Sequence, residues 1–107
     1  MELTPFSSLT VAMQQEGDHQ IINLPSDWLQ GRTAYGGLSA ALCLEATLRV
    51  APNLPPLRSA QFCFIGPATG QLTISPSILR KGKSTIVVGV DLVGDSGLAV
   101  RATMCFG

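Results

Sequence analysis

Two adjacent glycines are the first feature of this sequence that could carry out chemistry. Gly36 and Gly37 open an alanine- and leucine-rich segment that is predicted to be a helix. Backbone N–H groups in the first turn of a helix have no partner within it, and the positive end of the helix dipole lies there. The pair could therefore bind a carbonyl oxygen of a ligand and stabilise an oxyanion. A second interpretation stays open, in which the glycines only let the helix start pack closely against a sheet.

Glu45 is the acidic residue inside the same predicted helix. In a partly desolvated position its carboxylate would suit the role of a general base that activates a water molecule. Arg49 follows four residues later, in the order that favours an ion pair along a helix. A purely structural role for both residues is therefore open as well.

A short basic segment is the third candidate. Arg80, Lys81, Gly82 and Lys83 hold three of the seven basic residues of the chain, at what is predicted to be the tip of a hairpin. Phosphate groups are natural ligands of such a cluster. A solvated basic turn that discourages aggregation would have the same sequence, so both interpretations stay open.

Neither the histidine nor the cysteines suggest a metal site. His19 is the one histidine, and no CxxC pair completes a zinc-ligand set. Cys43, Cys63 and Cys105 are odd in number, widely spaced and embedded in apolar sequence, which predicts buried free thiols in a reducing compartment. Because no signal peptide is recognisable either, we expect a cytoplasmic protein.

Composition narrows the possible functions. The chain has 107 residues, of which 46% are hydrophobic and 13% charged, with a formal net charge of zero. One domain over residues 1–107 is expected, and both nucleic acid and a membrane span are disfavoured as partners. Since an average soluble domain is about 25% charged, we expect another subunit to cover much of one face.

The hydrophobic pattern predicts one helix and six strands. Leu9, Val11 and Met13 alternate with less apolar residues, which predicts a strand that forms a hairpin with residues 19–24. Gly36–Val50 reads as the helix, because Pro52 forbids its continuation. Its apolar residues point around most of the circumference, so other structure must enclose it.

Four further strands are predicted at residues 57–65, 71–80, 84–93 and 98–106, separated by glycine-containing turns. The order favours an α+β fold in which an antiparallel sheet of about six strands wraps around the one central helix. Pro76 predicts a bulge or an open edge, and Gly89 a close approach to the backbone. The loop at 25–35, with Trp28 and Tyr35, is typical of a pocket or a partner surface.

Several segments in this order resemble a known family. They are Tyr35-Gly36-Gly37 before an alanine-rich helix, then FIGPATG at 64–70, LRKGKS at 79–84 and a final strand that ends in ATMCFG. From about Trp28 to Phe106 the chain resembles the acyl-CoA thioesterase II and thioesterase-like group of the hotdog-fold superfamily. The likeness is greatest to the N-terminal half of members with two hotdog units in one chain.

The resemblance implies a fold, a ligand and partners. The fold would be a hotdog domain that pairs by continuous β-sheet with a second unit, as a homodimer or higher oligomer. Acyl-CoA thioesters would bind between the units and be hydrolysed to a free acid and CoA, with no cofactor. Tyr35, Gly36, Gly37 and the segment from Arg80 to Lys83 would bind this substrate, and Glu45 would activate the water.

Three positions depart from the family pattern. Leu57 and Cys105 stand roughly where the C-terminal half of larger members has a catalytic threonine and glutamine. The helix carboxylate of single-unit relatives would fall on Leu44, so Glu45 is one position late and about 100° around the helix. Besides a hydrolase, the sequence therefore allows a non-catalytic acyl-CoA or acyl-carrier binding module, or a structural half of a double-hotdog protein.

Overall fold

The computed structural model describes residues 6–24, 29–30, 33–34 and 36–107. Trp28 and Tyr35 lie outside these residues, whereas residues 29–30 and 33–34 of the loop predicted at 25–35 form two short strands. The elements in chain order are α1 (Phe6–Ala12), β1 (Gln14–Glu16), β2 (His19–Asn23), β3 (Leu29–Gln30), β4 (Thr33–Ala34), α2 (Gly36–Val50), β5 (Leu57–Phe64), β6 (Gln71–Lys81), β7 (Ile86–Gly94) and β8 (Gly97–Phe106).

Six strands form one antiparallel sheet in the order β1-β2-β6-β7-β8-β5, and β3 pairs only with β4. Helix α2 packs against the inner face of the sheet, mainly on β6 and β7. Leu42 and Cys43 of the helix share the core with Ile74, Val90 and Met104 of the sheet. The predicted α+β architecture, with about six antiparallel strands and one long helix, is confirmed.

Helix α2 has both of the bounds that the sequence predicts. It ends where the Ala51 N–H donates to the Thr47 carbonyl at 2.9 Å, directly before Pro52. One stripe of the helix is buried against the sheet: Leu38, Ser39, Leu42, Cys43, Ala46 and Thr47. On the opposite side Leu44 is half-buried and Leu48 is 39% exposed, because one sheet covers only one side of the helix.

The predicted strand around Leu9, Val11 and Met13 is wrong. The structure places helix α1 there, and the first hairpin consists of β1 and β2 around Gly17. Leu9 and Met13 are both buried, whereas Val11 is 84% exposed. Residues four apart lie on one side of a helix and also on one face of a strand, so the two buried positions fit either structure.

The structure confirms the predictions made from Pro76 in β6 and from Gly89 in β7. The pairing of β6 with β2 stops at Ile74, so Pro76 lies on a part of β6 that is open on that side. The β6–β7 register shifts between Ile78 and Arg80. A Cβ atom on Gly89 would lie 3.1 Å from a Leu79 methyl carbon. The Leu79 side chain therefore covers the β7 backbone at this point.

The prediction that all three cysteines are buried is wrong for Cys63. Cys43 is buried in the core, where burial raises the pKa of its thiol to about 12, while Cys105 is half-buried and Cys63 is exposed. Cys63 lies opposite the exposed Arg101 on the outer face of the sheet, on an edge strand. Sequence polarity alone does not distinguish the two faces of such a strand.

Candidate active site

The first turn of α2 meets the end of β5. A Cβ atom on Gly36 would lie 3.4 Å from Phe64 Cζ, which is an ordinary contact distance, and a Cβ on Gly37 would have no atom within 4 Å. Both glycines are exposed. Because each position has room for a methyl group, close packing does not explain the pair. The geometry instead favours an open helix N-terminus whose first N–H groups can reach a ligand.

An apolar strip on β5 borders this helix start. The rings of Phe62 and Phe64 stack with centroids 6.4 Å apart. Phe64 is 58% exposed, and the adjacent Ile65 is 52% exposed. An acyl chain is the kind of ligand group that such a strip would bury, beside a helix terminus that favours its carbonyl oxygen.

Glu45 lies on the side of α2 that is remote from β5, and it forms an ion pair there. Its Oε1 accepts a hydrogen bond from Arg49 Nε at 3.2 Å, and Arg49 Nη1 donates to the Met13 carbonyl at 2.8 Å. These bonds join the helix to the segment between α1 and β1, at the edge of the sheet remote from β5. The i,i+4 pair that the spacing predicts is therefore present.

The basic segment forms the β6–β7 turn, as predicted. Arg80 and Lys81 end β6, and the Gly82 N–H closes the turn on the Thr85 carbonyl at 2.8 Å. Beside it lies an open groove of about 320 Å³, lined by Arg80, Gly82, Lys83, Ser84, Thr85 and Val87. A groove with two cationic side chains and two hydroxyl groups is suited to phosphate.

Arg58, which the sequence analysis did not single out, joins this basic end of the sheet. It lies near the start of β5, where Leu57 pairs with Phe106 and Phe106 pairs with Ile86 beside the turn. Arg58 Nε donates to the Gly107 carbonyl at 2.6 Å. Only the strand register reveals this placement, because more than twenty residues separate Arg58 from the turn in sequence.

The two candidate regions occupy opposite ends of the sheet. Phe64, beside Gly36, pairs with Val100, and Val100 pairs with Leu92 of β7. The basic turn follows the other end of that strand pair, where Ile86 begins β7. From Ile86 to Leu92 the strand extends about 20 Å at about 3.3 Å per residue. Within one unit the glycine pair and the basic turn are therefore well separated.

The three positions that depart from the family pattern add no acidic, amide or hydroxyl group to this site. Leu57 is partly exposed, Cys105 is half-buried and Leu44 is half-buried on the open side of α2. Among the described residues no three His, Cys, Asp or Glu side chains come together as a possible metal site. In the same part of the chain, no helix has the length and hydrophobicity to cross a lipid bilayer.

The family model of the acyl-CoA thioesterase N-terminal domain matches residues 24–107. The chain belongs to that family. No curated protein matches the sequence.

Solved structures support the same fold. A hotdog protein from Alicyclobacillus acidocaldarius is 21% identical, with a TM-score of 0.84, over 98% of this chain and 40% of its own. A putative thioesterase II from Thermobifida fusca is 20% identical, with a TM-score of 0.82, over 100% of this chain and 40% of its own. This chain thus spans 40% of the length of both structures.

The match to a Bacillus halodurans protein crystallised with CoA extends over a larger share of that protein. It is 22% identical with a TM-score of 0.77, over 97% of this chain and 75% of its own. At these identities the structures establish the hotdog fold, which confirms the fold that the sequence resemblance implies.

Proposed function

We propose that the protein binds an acyl-CoA between two hotdog units and hydrolyses its thioester. The observation that carries the proposal is the open N-terminus of α2, where two exposed glycines lie beside the exposed Phe64 ring. Family membership supports the acyl-CoA thioester as ligand, and so does CoA in the similar Bacillus halodurans structure.

The proposed reaction uses the three candidate groups in turn. The Gly36 and Gly37 N–H groups would donate to the thioester carbonyl oxygen, with Tyr35 next to them in sequence, and would stabilise the oxyanion of the tetrahedral intermediate. Glu45 lies about 12 Å from Gly37 along the α2 axis, at about 1.5 Å per residue, so it would take a proton only from water that attacks a thioester held by the glycines of the second unit. The C–S bond then breaks, and the CoA thiolate leaves and is protonated. The segment Arg80 to Lys83 would bind the CoA phosphates.

A homodimer through β5 is the proposed assembly. The described sheet has two other open edges. One is β1, which is only three residues long, and the other runs along β6 beyond Ile74, where Pro76, a register shift and two basic residues protect it against pairing. From Ser59 to Phe64, β5 has no proline and no charged residue. Because this edge is unprotected and apolar, a second copy is expected to pair there.

A non-catalytic acyl-CoA binding module is the second candidate function. The Glu45 carboxylate already forms an ion pair with the Arg49 guanidinium. The helix carboxylate of single-unit relatives would fall on Leu44, which has no acidic group. Both functions place the ligand at the same glycines, so one experiment separates them. We propose the cytoplasm as the compartment, because all three cysteines are free thiols.

The test is thiol release from a panel of acyl-CoAs by the wild type and two Gly37 variants. Gly37→Pro removes one proposed N–H donor in the first turn of α2, where that N–H has no intrahelical partner, whereas Gly37→Ala keeps the donor and meets no neighbouring atom. We expect Gly37→Pro to lose about 10²–10³-fold in kcat, as for loss of one oxyanion donor, and Gly37→Ala to remain close to wild type.

Glu45→Gln completes the experiment. Turnover that falls with this variant supports Glu45 as the base, and unchanged turnover removes it from the mechanism. Wild-type protein that releases no thiol, but whose Trp28 fluorescence is quenched by acyl-CoA, would be a binding module. If neither thiol release nor binding occurs with any acyl-CoA, the proposed function is wrong.

A further inference from the structure

The side of α2 that faces away from the sheet carries an apolar stripe. At about 3.6 residues per turn, Ala41, Leu44 and Leu48 fall within about 40° of Gly37 around the helix axis. Leu48 is 39% exposed, and Ala41 and Leu44 are half-buried. The stripe therefore begins at the glycine pair and runs along the helix with no polar side chain in it.

The two charged residues of the helix lie beside this stripe and not on it. Glu45 and Arg49 are about 80–120° from Gly37 around the axis. They pair with each other at 3.2 Å, and Arg49 also donates to the Met13 carbonyl. Leu44, on which the helix carboxylate of single-unit relatives would fall, is part of the apolar stripe. An alkyl chain could therefore lie along α2 without burying a charge.

A small cavity lies at the far end of the stripe, between the last turn of α2 and strands β6 and β7. Its volume is about 60 Å³, and its lining is Thr47, Val50, Ala51, Pro76, Ser77, Ile78 and Val88. Of the two hydroxyl groups in this lining, that of Thr47 already donates to the Cys43 carbonyl at 2.9 Å. Ala51 continues the helical hydrogen bonding and follows Leu48 by three residues, so the stripe and the cavity meet there.

The length of this path defines a class of substrate. From Gly37 to Val50 the helix rises about 20 Å, at about 1.5 Å per residue. An extended alkyl chain advances about 1.3 Å for each carbon–carbon bond of about 1.5 Å, so about 14–16 carbon atoms span the path. We propose that the substrate is a long-chain acyl-CoA whose alkyl chain follows the stripe from the glycine pair and ends in the cavity at Ala51. The inference rests on the proposed function and deepens it, because it names the acyl group.

The first test is the chain-length profile of the full-length wild type, from butyryl-CoA to octadecanoyl-CoA, each kept below the concentration at which it forms micelles. Complete burial of one methylene group is worth about fourfold in affinity, so a stripe that covers one side of the chain should give about twofold. We expect kcat/KM to rise by this factor per carbon up to about 14–16 carbons and then to level off or fall. A flat profile, or one that is highest for butyryl-CoA, would overturn the proposal.

Ala51→Leu tests the far end of the path. The added side chain would fill the cavity, so the terminal carbons of a long chain would lose their contacts. We expect hexadecanoyl-CoA to lose about tenfold in kcat/KM and octanoyl-CoA to keep its value, because the shorter chain ends before the cavity. The matched control is Ala12→Leu at the exposed end of α1, which should leave the whole profile unchanged. An equal loss for both substrates with Ala51→Leu, or no loss, would contradict the path.

Leu44→Gln tests the middle of the path and separates an alkyl chain from other occupants of the stripe. Leu44 lies about 10 Å from Gly37 along the helix, so butyryl-CoA should be unaffected while dodecanoyl-CoA loses about tenfold in kcat/KM. Val11→Gln, at a position of α1 that is 84% exposed, is the control. If a second copy of the chain covers the stripe instead, Leu44→Gln changes the assembly state in size-exclusion chromatography and affects all chain lengths equally, which would overturn the proposal.

Failure of the proposed function is distinguishable, because it would be seen in the wild type with every substrate. If the wild type binds acyl-CoA without turnover, the same variants are compared by titration, and the dissociation constants should show the same dependence on chain length. Binding or turnover that does not depend on chain length would refute the long-chain substrate and leave the proposed function standing. If the wild type neither binds nor turns over any acyl-CoA, both proposals fall together.

Discussion

Replacement of Gln20 by methionine should stabilise the protein, although it removes a polar residue from a sheet. Gln20 lies on β2 with no exposed surface, and neither Oε1 nor Nε2 of its side-chain amide has a hydrogen-bond partner among the described residues. A buried polar group without a partner costs about 1–3 kcal/mol of desolvation, which methionine of similar length does not incur. We therefore expect the free energy of unfolding to rise by about 1–3 kcal/mol.

Thermal unfolding measured by circular dichroism is the assay. For a domain of this size each 1 kcal/mol corresponds to about 4–8 °C in Tm, so a rise of at least about 4 °C is expected. The control is Gln71→Met at an exposed position of the neighbouring strand β6, with an expected effect within about 0.5 kcal/mol. A lower Tm for Gln20→Met would refute the reasoning, because the amide would then have a partner in the folded protein.

Two further predictions concern the turn at Gly70 and the thiol of Cys43. Gly70 has a φ of 74°, and a Cβ atom there would overlap the Asp95 carboxylate. Gly70→Ala should therefore lower the free energy of unfolding by more than the roughly 1–2 kcal/mol that the left-handed conformation alone costs a residue other than glycine. Adding Asp95→Ala should restore part of the loss in urea unfolding, and no restoration would contradict the overlap. With its pKa raised to about 12 by burial, Cys43 should resist alkylation at pH 8 while Cys63 reacts. Peptide mass spectrometry that finds equal labelling would contradict this prediction.

Local signals in the sequence were sufficient for α2 and for the four long strands. The glycines and Pro52 delimit the helix, and glycine-containing turns separate strands whose apolar residues alternate. At Leu9 and Met13 local signals fail, since a spacing of four suits one face of a helix as well as one face of a strand. The exposure of Val11 decides between the two, and exposure depends on tertiary packing.

The candidate site also combines residues that local sequence signals reveal with residues that only the tertiary structure reveals. Gly36, Gly37 and the basic turn stand out in the sequence because their chemistry is local. The placement of Arg58 beside the basic turn depends on the register of β5 with β8 and of β8 with β7, which no local pattern encodes. The separation of the glycine pair from the basic turn follows from the same register.

Backbone amide NMR can show whether the first turn of α2 holds the thioester carbonyl. A ¹⁵N-labelled sample is titrated with an acyl-CoA analogue in which a methylene group replaces the thioester sulfur and the carbonyl remains. We expect the Gly36 and Gly37 amide protons to shift downfield on binding, together with the Phe64 signals. Saturable shifts confined to the outer sheet face, at residues such as Ser75 and Thr103, with both glycine amides unmoved, would contradict it.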